Sequence, residues 1–175
     1  NNAELSLTSQ ENDASPFSSL YLNISQLELR DINHFFGMES LEGNTFADIT
    51  IERNPKTGIP SATGDVSINN LGYDKTNIGH IGMALFYEPR DNSSHYVTTQ
   101  VNYNGKLAFS AEGTYSPRNE ASPIDMTANV AGFPLSLANP FIGAKNAALD
   151  GTIDGSLSIT GTTHNMLFTG LITPH

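Results

Sequence analysis

Apolar and polar residues alternate along most of the chain, and clusters of turn-forming residues cut the alternation into short runs. Leu20, Leu22 and Ile24 alternate with Tyr21 and Asn23, and Ala47, Ile49 and Ile51 alternate with Asp48 and Thr50. Ala62, Gly64, Val66 and Ile68 follow, set between Thr63, Asp65 and Ser67. The spacing returns in runs starting at Ile81, Val97, Leu107, Ile124, Gly151 and Phe168, and the chain opens in strand-like sequence from Ala3 to Ser9. A period of two gives a strand with one apolar face. Asn104-Gly105 is a strong hairpin signal, because both residues accept the positive φ of a tight two-residue turn. The stretches 90–94 and 116–120 predict longer surface loops. Two segments depart from the pattern. Leu29, Ile32, Phe35 and Phe36 have helical spacing with Gly37 as a stop, and Asn139-Pro140 reads as an N-cap and first helical residue leading into 141–148. Each would make about two turns, too little to cover nine strands. The prediction is an all-β chain.

Read in phase, the runs place one set of side chains on a common face. These are Ile49 and Ile51; Val66 and Ile68; Ile81, Met83 and Leu85; Val97 and Val101; Leu107 and Phe109; Met126 and Val130; Ile153, Leu157 and Ile159; and Phe168 and Ile172. At ~1.5–3 kcal/mol for each buried side chain, leaving this face wet would forfeit roughly 30–50 kcal/mol. That exceeds the net stability of an ordinary domain. The face must be covered by a second sheet, by the same sheet curled over, or by bound lipid. Gly64, Gly151, Gly155 and Gly170 fall in the same phase, where glycine packs nothing but permits bends and a hollow. Asp48, Asp65 and Asp154 fall in the opposite phase. Two arrangements follow: an open apolar trough, or a closed β-sandwich that binds or adheres through loops 88–96 and 116–123.

Composition narrows the setting. Ser, Thr and Asn fill 51 of 175 positions, while charged residues make up only 15%. A hydroxyl- and amide-rich surface with few ions fits an extracytoplasmic β protein. The net charge of −10 argues against nucleic acid and against docking on anionic headgroups, both of which need clustered Lys or Arg. There is no cysteine, so disulfides and thiol chemistry are excluded. The longest apolar stretch, 81–87, is far short of the ~20 residues of a membrane span.

The sequence also repeats at long period. Leu41-Glu-Gly43, Ala47, Ile49 and Ile51 lie over Leu149-Asp-Gly151, Gly155, Leu157 and Ile159. Ala62-Thr-Gly64-Asp-Val66 then lies over Phe168-Thr-Gly170-Leu-Ile172, so the repeat units span about 20–70 and 126–175. The second copy carries a resemblance. Phe133-Pro-Leu-Ser-Leu137, Pro140-Phe141, the run from Leu149 to Thr162, and Leu167 with Gly170 together resemble the TamB family of translocation and assembly module proteins, with looser similarity to AsmA-type proteins. The match is specific over 130–175 and weaker over 20–70. The resemblance implies that residues 1–175 form one β-rich periplasmic segment of a longer inner-membrane-anchored protein from a Gram-negative bacterium. It implies a mostly antiparallel sheet curled into a taco-like trough with an apolar interior. It further implies non-enzymatic work in outer-membrane biogenesis, with phospholipid acyl chains or nascent outer-membrane protein strands as cargo and a BamA-like outer-membrane barrel as partner of the full-length protein.

Catalytic chemistry finds little footing. The five histidines are scattered, and Asp31 with His34 supplies two ligands where zinc needs three or four. Asp150 and Asp154 sit in a sequence with little of a calcium loop's ligand density. As i and i+4 in a strand they would stand about 13 Å apart, beyond glycosidase carboxylate spacing. No nucleophile context and no phosphate-cradling glycine loop occurs. Asn23-Ile-Ser and Asn92-Ser-Ser match the glycosylation pattern, as two such triplets would by chance at this Asn and Ser content. No cofactor, metal or catalytic group is therefore expected.

Overall fold

The computed structural model describes residues 4–12, 15–32, 40–53, 58–91, 93–139 and 149–175. Ten strands follow one another: β1 (Glu4–Asn12), β2 (Ser15–Glu28), β3 (Leu41–Arg53), β4 (Pro60–Tyr73) and β5 (Thr76–Pro89), then β6 (His95–Tyr103), β7 (Lys106–Tyr115), β8 (Ile124–Pro134), β9 (Thr152–Thr162) and β10 (Asn165–Pro174). All ten form a single antiparallel sheet whose spatial order is the sequence order. The sheet curls without closing into a barrel. There is no second sheet to make a sandwich among the described residues.

Turn chemistry sets the hairpins. Asn104 (φ 49°) and Gly105 (φ 79°) make the expected two-residue turn between β6 and β7. Asp74 and Lys75 adopt the same left-handed backbone between β4 and β5, a turn that carries no glycine to announce it. The loops at 90–94 and 116–123 fall where the sequence places them. In the first, the Asp91 carboxylate accepts from the Ser93 N–H (2.6 Å), the Ser93 hydroxyl (2.7 Å) and the Ser94 N–H (2.8 Å), which holds its pKa below the usual carboxylate value. The first helical segment is one short turn, α1 (Leu29–Ile32), with Leu29 buried and Arg30 paired to Glu42 at 3.1 Å. A 3-10 turn spans Leu135–Ala138. Residues 33–39 and 140–148, which hold the rest of both expected helices, lie outside the described residues.

Cross-strand register makes the apolar pattern continuous. Starting from β2, one row reads Ile24, Ala47, Val66, Met83, Val101, Phe109, Val130, Gly155, Ile172. The next reads Leu22, Ile49, Gly64, Leu85, Thr99, Ala111, Ala128, Leu157, Gly170, and the third reads Leu20, Ile51, Ala62, Tyr87, Val97, Gly113, Met126, Ile159, Phe168. The two repeated segments pair alike. Ala47–Val66, Ile49–Gly64 and Ile51–Ala62 in β3–β4 correspond to Gly155–Ile172, Leu157–Gly170 and Ile159–Phe168 in β9–β10.

Two devices curl this sheet. Register shifts in β2–β3, β3–β4, β4–β5, β6–β7 and β8–β9 all lie on the same side of the Ile24-to-Gly155 row, along one rim. Each bulge adds twist and bends its strand. On the apolar face, four glycines sit where strands approach too closely for a Cβ. A Cβ on Gly64 would lie 2.8 Å from the Asp48 carbonyl oxygen and 2.9 Å from Ile49 Cγ1. On Gly113 it would meet the Asp125 carbonyl oxygen and lie 2.5 Å from Met126 Cα. Gly170 stands the same way against Ser156 and Leu157, and Gly155 against Leu171 and Ile172. Gly151 differs from the expectation. It precedes β9 with φ 92°, and its carbonyl accepts from the Leu135 N–H. Its place among the inward glycines is taken by Gly113.

Gly113→Val is therefore expected to lower unfolding free energy by at least about 1–3 kcal/mol, the usual cost of forcing extra atoms into a packed site. Gly82→Ala, where the nearest atom would be 3.9 Å away on the other face, should fall within about 0.5 kcal/mol of the parent. Urea denaturation of both variants checks this.

Candidate functional site

The three rows line the concave face, and burial divides them by size. The small residues Ala47 (5%), Ala111 (5%) and Ala128 (0%) are buried, but Met83 (40%) and Leu85 (42%) remain exposed. Ile49, Ile51, Val66, Val101, Phe109, Val130 and Leu157 are half-buried. A face sealed by a second layer would bury its largest side chains first. Here the alanines disappear beneath taller neighbours while those neighbours keep one side open. The result is an apolar trough, unfilled by the described residues.

Every expected lining residue but one falls in these rows or their extensions. Ile68 and Ile81 continue toward Thr45 and Tyr103, and Ile153 lies beside Phe133. The exception is Leu107. A bulge in β7 leaves Ala108 unpaired and sets Leu107 opposite Asn102, outside the Val101–Phe109 row, where it is 46% exposed. Strict alternation misassigns it because a single inserted residue reverses the phase. Leu7, Leu20, Leu22 and Ile24 also join the rows. Extending the same alternation into β1 and β2 would have found them.

The other face is largely polar, with Phe46, Phe86 and Leu107 as apolar exceptions. Asn23, Asp48, Asp65, Ala84, Gln100, Ser110, Asn129 and Ser156 form its central row. Asp48 accepts from Asn23 Nδ2 at 2.5 Å. A shallow hollow of about 220 Å³ lies on this side, where Gly82 lacks a side chain beside Phe46, Asp48, Asp65 and Asn102. Its lining mixes the carboxylates of Asp48 and Asp65 with apolar Phe46 and Ala84.

Polar groups on the concave face are mostly turned inward. Thr99 donates to the Ala84 carbonyl at 2.9 Å and Tyr103 to the Ile78 carbonyl at 2.9 Å. At one end His95, 6% exposed, lies between the fully buried Pro89 and Tyr115 and packs edge-on against the rings of Tyr87 and Tyr115, with the buried Ile124 beyond Tyr115. Tyr87 Oη and His95 Nδ1 share a hydrogen bond of 2.5 Å, while His95 Nε2 is buried with no protein partner. Burial, reinforced by the neighbouring Tyr115, raises the Tyr87 pKa above its ordinary value.

The other candidates do not converge. Asp150 precedes β9 and accepts from the Gly151 N–H at 2.8 Å. Asp154 accepts from the Gly132 N–H at 2.6 Å and lies 3.0 Å from His175. His34 and Asn92 lie outside the described residues. Among the described residues, no three His, Asp or Glu side chains form a metal-binding group. Comparisons with protein-family models, with curated proteins and with solved structures find no match.

Tyr87→Phe should cost about 1–3 kcal/mol at neutral pH, since it strands a second buried polar atom of His95. The raised Tyr87 pKa means that the folded state holds its proton longer than the unfolded state. Stability is thus complete below pH ~10 and falls as pH rises through the folded value. Urea midpoints measured from pH 8 to 11 should decline less steeply above pH ~10 in Tyr87→Phe than in the parent.

Proposed function

We propose that the concave face shelters hydrophobic cargo, and that this chain is a non-enzymatic carrier segment for lipid acyl chains or nascent outer-membrane protein strands in a Gram-negative periplasm. The observation that carries the reading is a trough lined by three apolar rows whose large side chains stay half open. Leaving such a face to water is costly, and the described residues supply no second layer to cover it. Strands stand about 4.8 Å apart, so a row across ten of them runs roughly 40 Å. An acyl chain spans one bilayer leaflet, about 15 Å, and fits within it. Each buried methylene contributes about 0.8 kcal/mol, so a chain of ~16 carbons could contribute on the order of 10 kcal/mol before binding costs.

The chemistry of the lining favours cargo without charge. The rows contain no ionisable carboxylate or amine, and the hydroxyls of Thr99 and Tyr103 are committed to backbone carbonyls. Cargo would therefore lie by apolar contact, with a polar headgroup left in water at an open edge. The TamB resemblance points to the same compartment and to a BamA-like barrel as the full-length protein's partner. A sealed sandwich working through its loops has no comparable support, because the large inward side chains are not sealed.

Photoreactive residues at 85, 109 and 157 should form adducts with phospholipid in cells or after incubation with vesicles, while positions 48, 65 and 154 should not. Leu157→Arg should stay folded by circular dichroism, since its charge can reach water along the trough, and should lose the adducts at 85 and 109. Equal labelling of both faces, or none, refutes the proposal.

A further inference from the structure

The bulged rim carries a second kind of surface, on the face opposite the trough. Glu42 and Asn44 point there, in phase with Asp48 along β3. Beside them lies a hollow of about 380 Å³ lined by Glu28, Arg30, Glu42, Gly43, Asn44 and Asn70. A neighbouring hollow of about 200 Å³ shares Glu42 and Asn70 and extends to Lys75, Thr76 and Asn77. Together they form a groove. The larger hollow falls within the ~300–1,000 Å³ of small-ligand sites. Among the described residues, no apolar side chain lines either hollow.

A bulge, a turn and an anchored helical turn fix the walls. The step from Asn69 to Gly72 in β4 stands opposite the shorter step from Asn44 to Glu42 in β3, and within it Asn70 has φ 52°. A bulge re-aims the side chain it carries. Here it brings the Asn70 amide to both hollows. Lys75 holds φ 64° in the adjoining turn. Left-handed backbone at non-glycine residues is a strain that collects at functional sites. On the far wall, Leu29 is buried and anchors the single turn of α1, which brings Arg30 to Glu42 at 3.1 Å.

Charge and polarity exclude most ligand classes from this groove. An acyl chain or an apolar protein surface finds nothing there to pack against. A bare cation would meet Arg30 and Lys75, and an anion would meet Glu28 and Glu42. These four charges cancel, within a chain that carries −10. Arg30 and Glu42 are also engaged with each other. The neutral groups that remain are the amides of Asn44, Asn70 and Asn77 and the hydroxyl of Thr76. Each of them both donates and accepts. Sugar hydroxyls have the same dual character. We infer that the groove binds a short saccharide chain, its hydroxyls exchanging hydrogen bonds with these four side chains. Two joined hollows suit two or more linked sugar units. Each bond replaces one to water, so the dissociation constant is modest, on the order of 1 mM. The inference does not depend on what the trough carries.

The test titrates the whole chain with cellotriose, maltotriose and N,N′-diacetylchitobiose and follows side-chain amide signals by NMR. At least one sugar should shift the signals of Asn44, Asn70 and Asn77 saturably, while Asn129, in mid-sheet on the same face, stays unmoved. Glucose should shift them less at equal concentration. Asn70→Gly removes the amide but keeps the fold, because glycine adopts positive φ freely. It should weaken binding about tenfold, with unchanged circular dichroism. Asn129→Ala should bind as the parent does. No shift with any of the three sugars at about ten times the expected dissociation constant overturns the inference. So does undiminished binding by Asn70→Gly, or a response to glucose as strong as to the longer sugars. Glycerophosphoethanolamine shifting these signals where the sugars do not would assign the groove to a zwitterion and overturn it too.

Discussion

Register is the constraint on which everything else in this molecule rests. Successive side chains of a strand point to opposite faces, so a slip of one residue would turn that strand's apolar set outward. The rows stay apolar across β2 to β10 because each hairpin returns its strand in phase. The turns at Asp74-Lys75 and Asn104-Gly105 leave no slack, and bulges absorb the remaining mismatches along one rim. Every connection is local, which spares the chain the entropic cost of closing long loops before its strands can pair.

The same register explains why the molecule is hollow. Curling brings the concave-side Cβ atoms of adjacent strands together, and glycine at 64, 113, 155 and 170 relieves the crowding. Bulky neighbours lean over each gap, as Ile49 does over Gly64 and Met126 over Gly113. The closest-packed positions are thus glycines and alanines, which bring little hydrophobic burial. The large side chains, which could bring most, are left half open. Curvature is gained at the expense of a filled core. His95 marks the end where this openness stops, enclosed by Pro89 and two tyrosine rings.

The sequence by itself determined the all-β class, the position of most strands, and which phase of each faces inward. Those properties follow from local alternation and turn chemistry, which a linear reading samples directly. Ile49, Leu85 and Leu157 could be assigned to the apolar face from their immediate neighbours alone. Leu107 could not, because the bulge at Ala108 arises from how β7 pairs with β6. Gly113 gained its role only from the approach of Met126, and Gly151 lost the one its phase predicted because it lies before the strand begins. His95 reads as one of five scattered histidines until folding packs it between Tyr87 and Tyr115. Whether the apolar face is sealed or open was likewise settled in three dimensions. Both outcomes use the same alternation, and only the curvature of the assembled sheet decides how much of each side chain remains exposed.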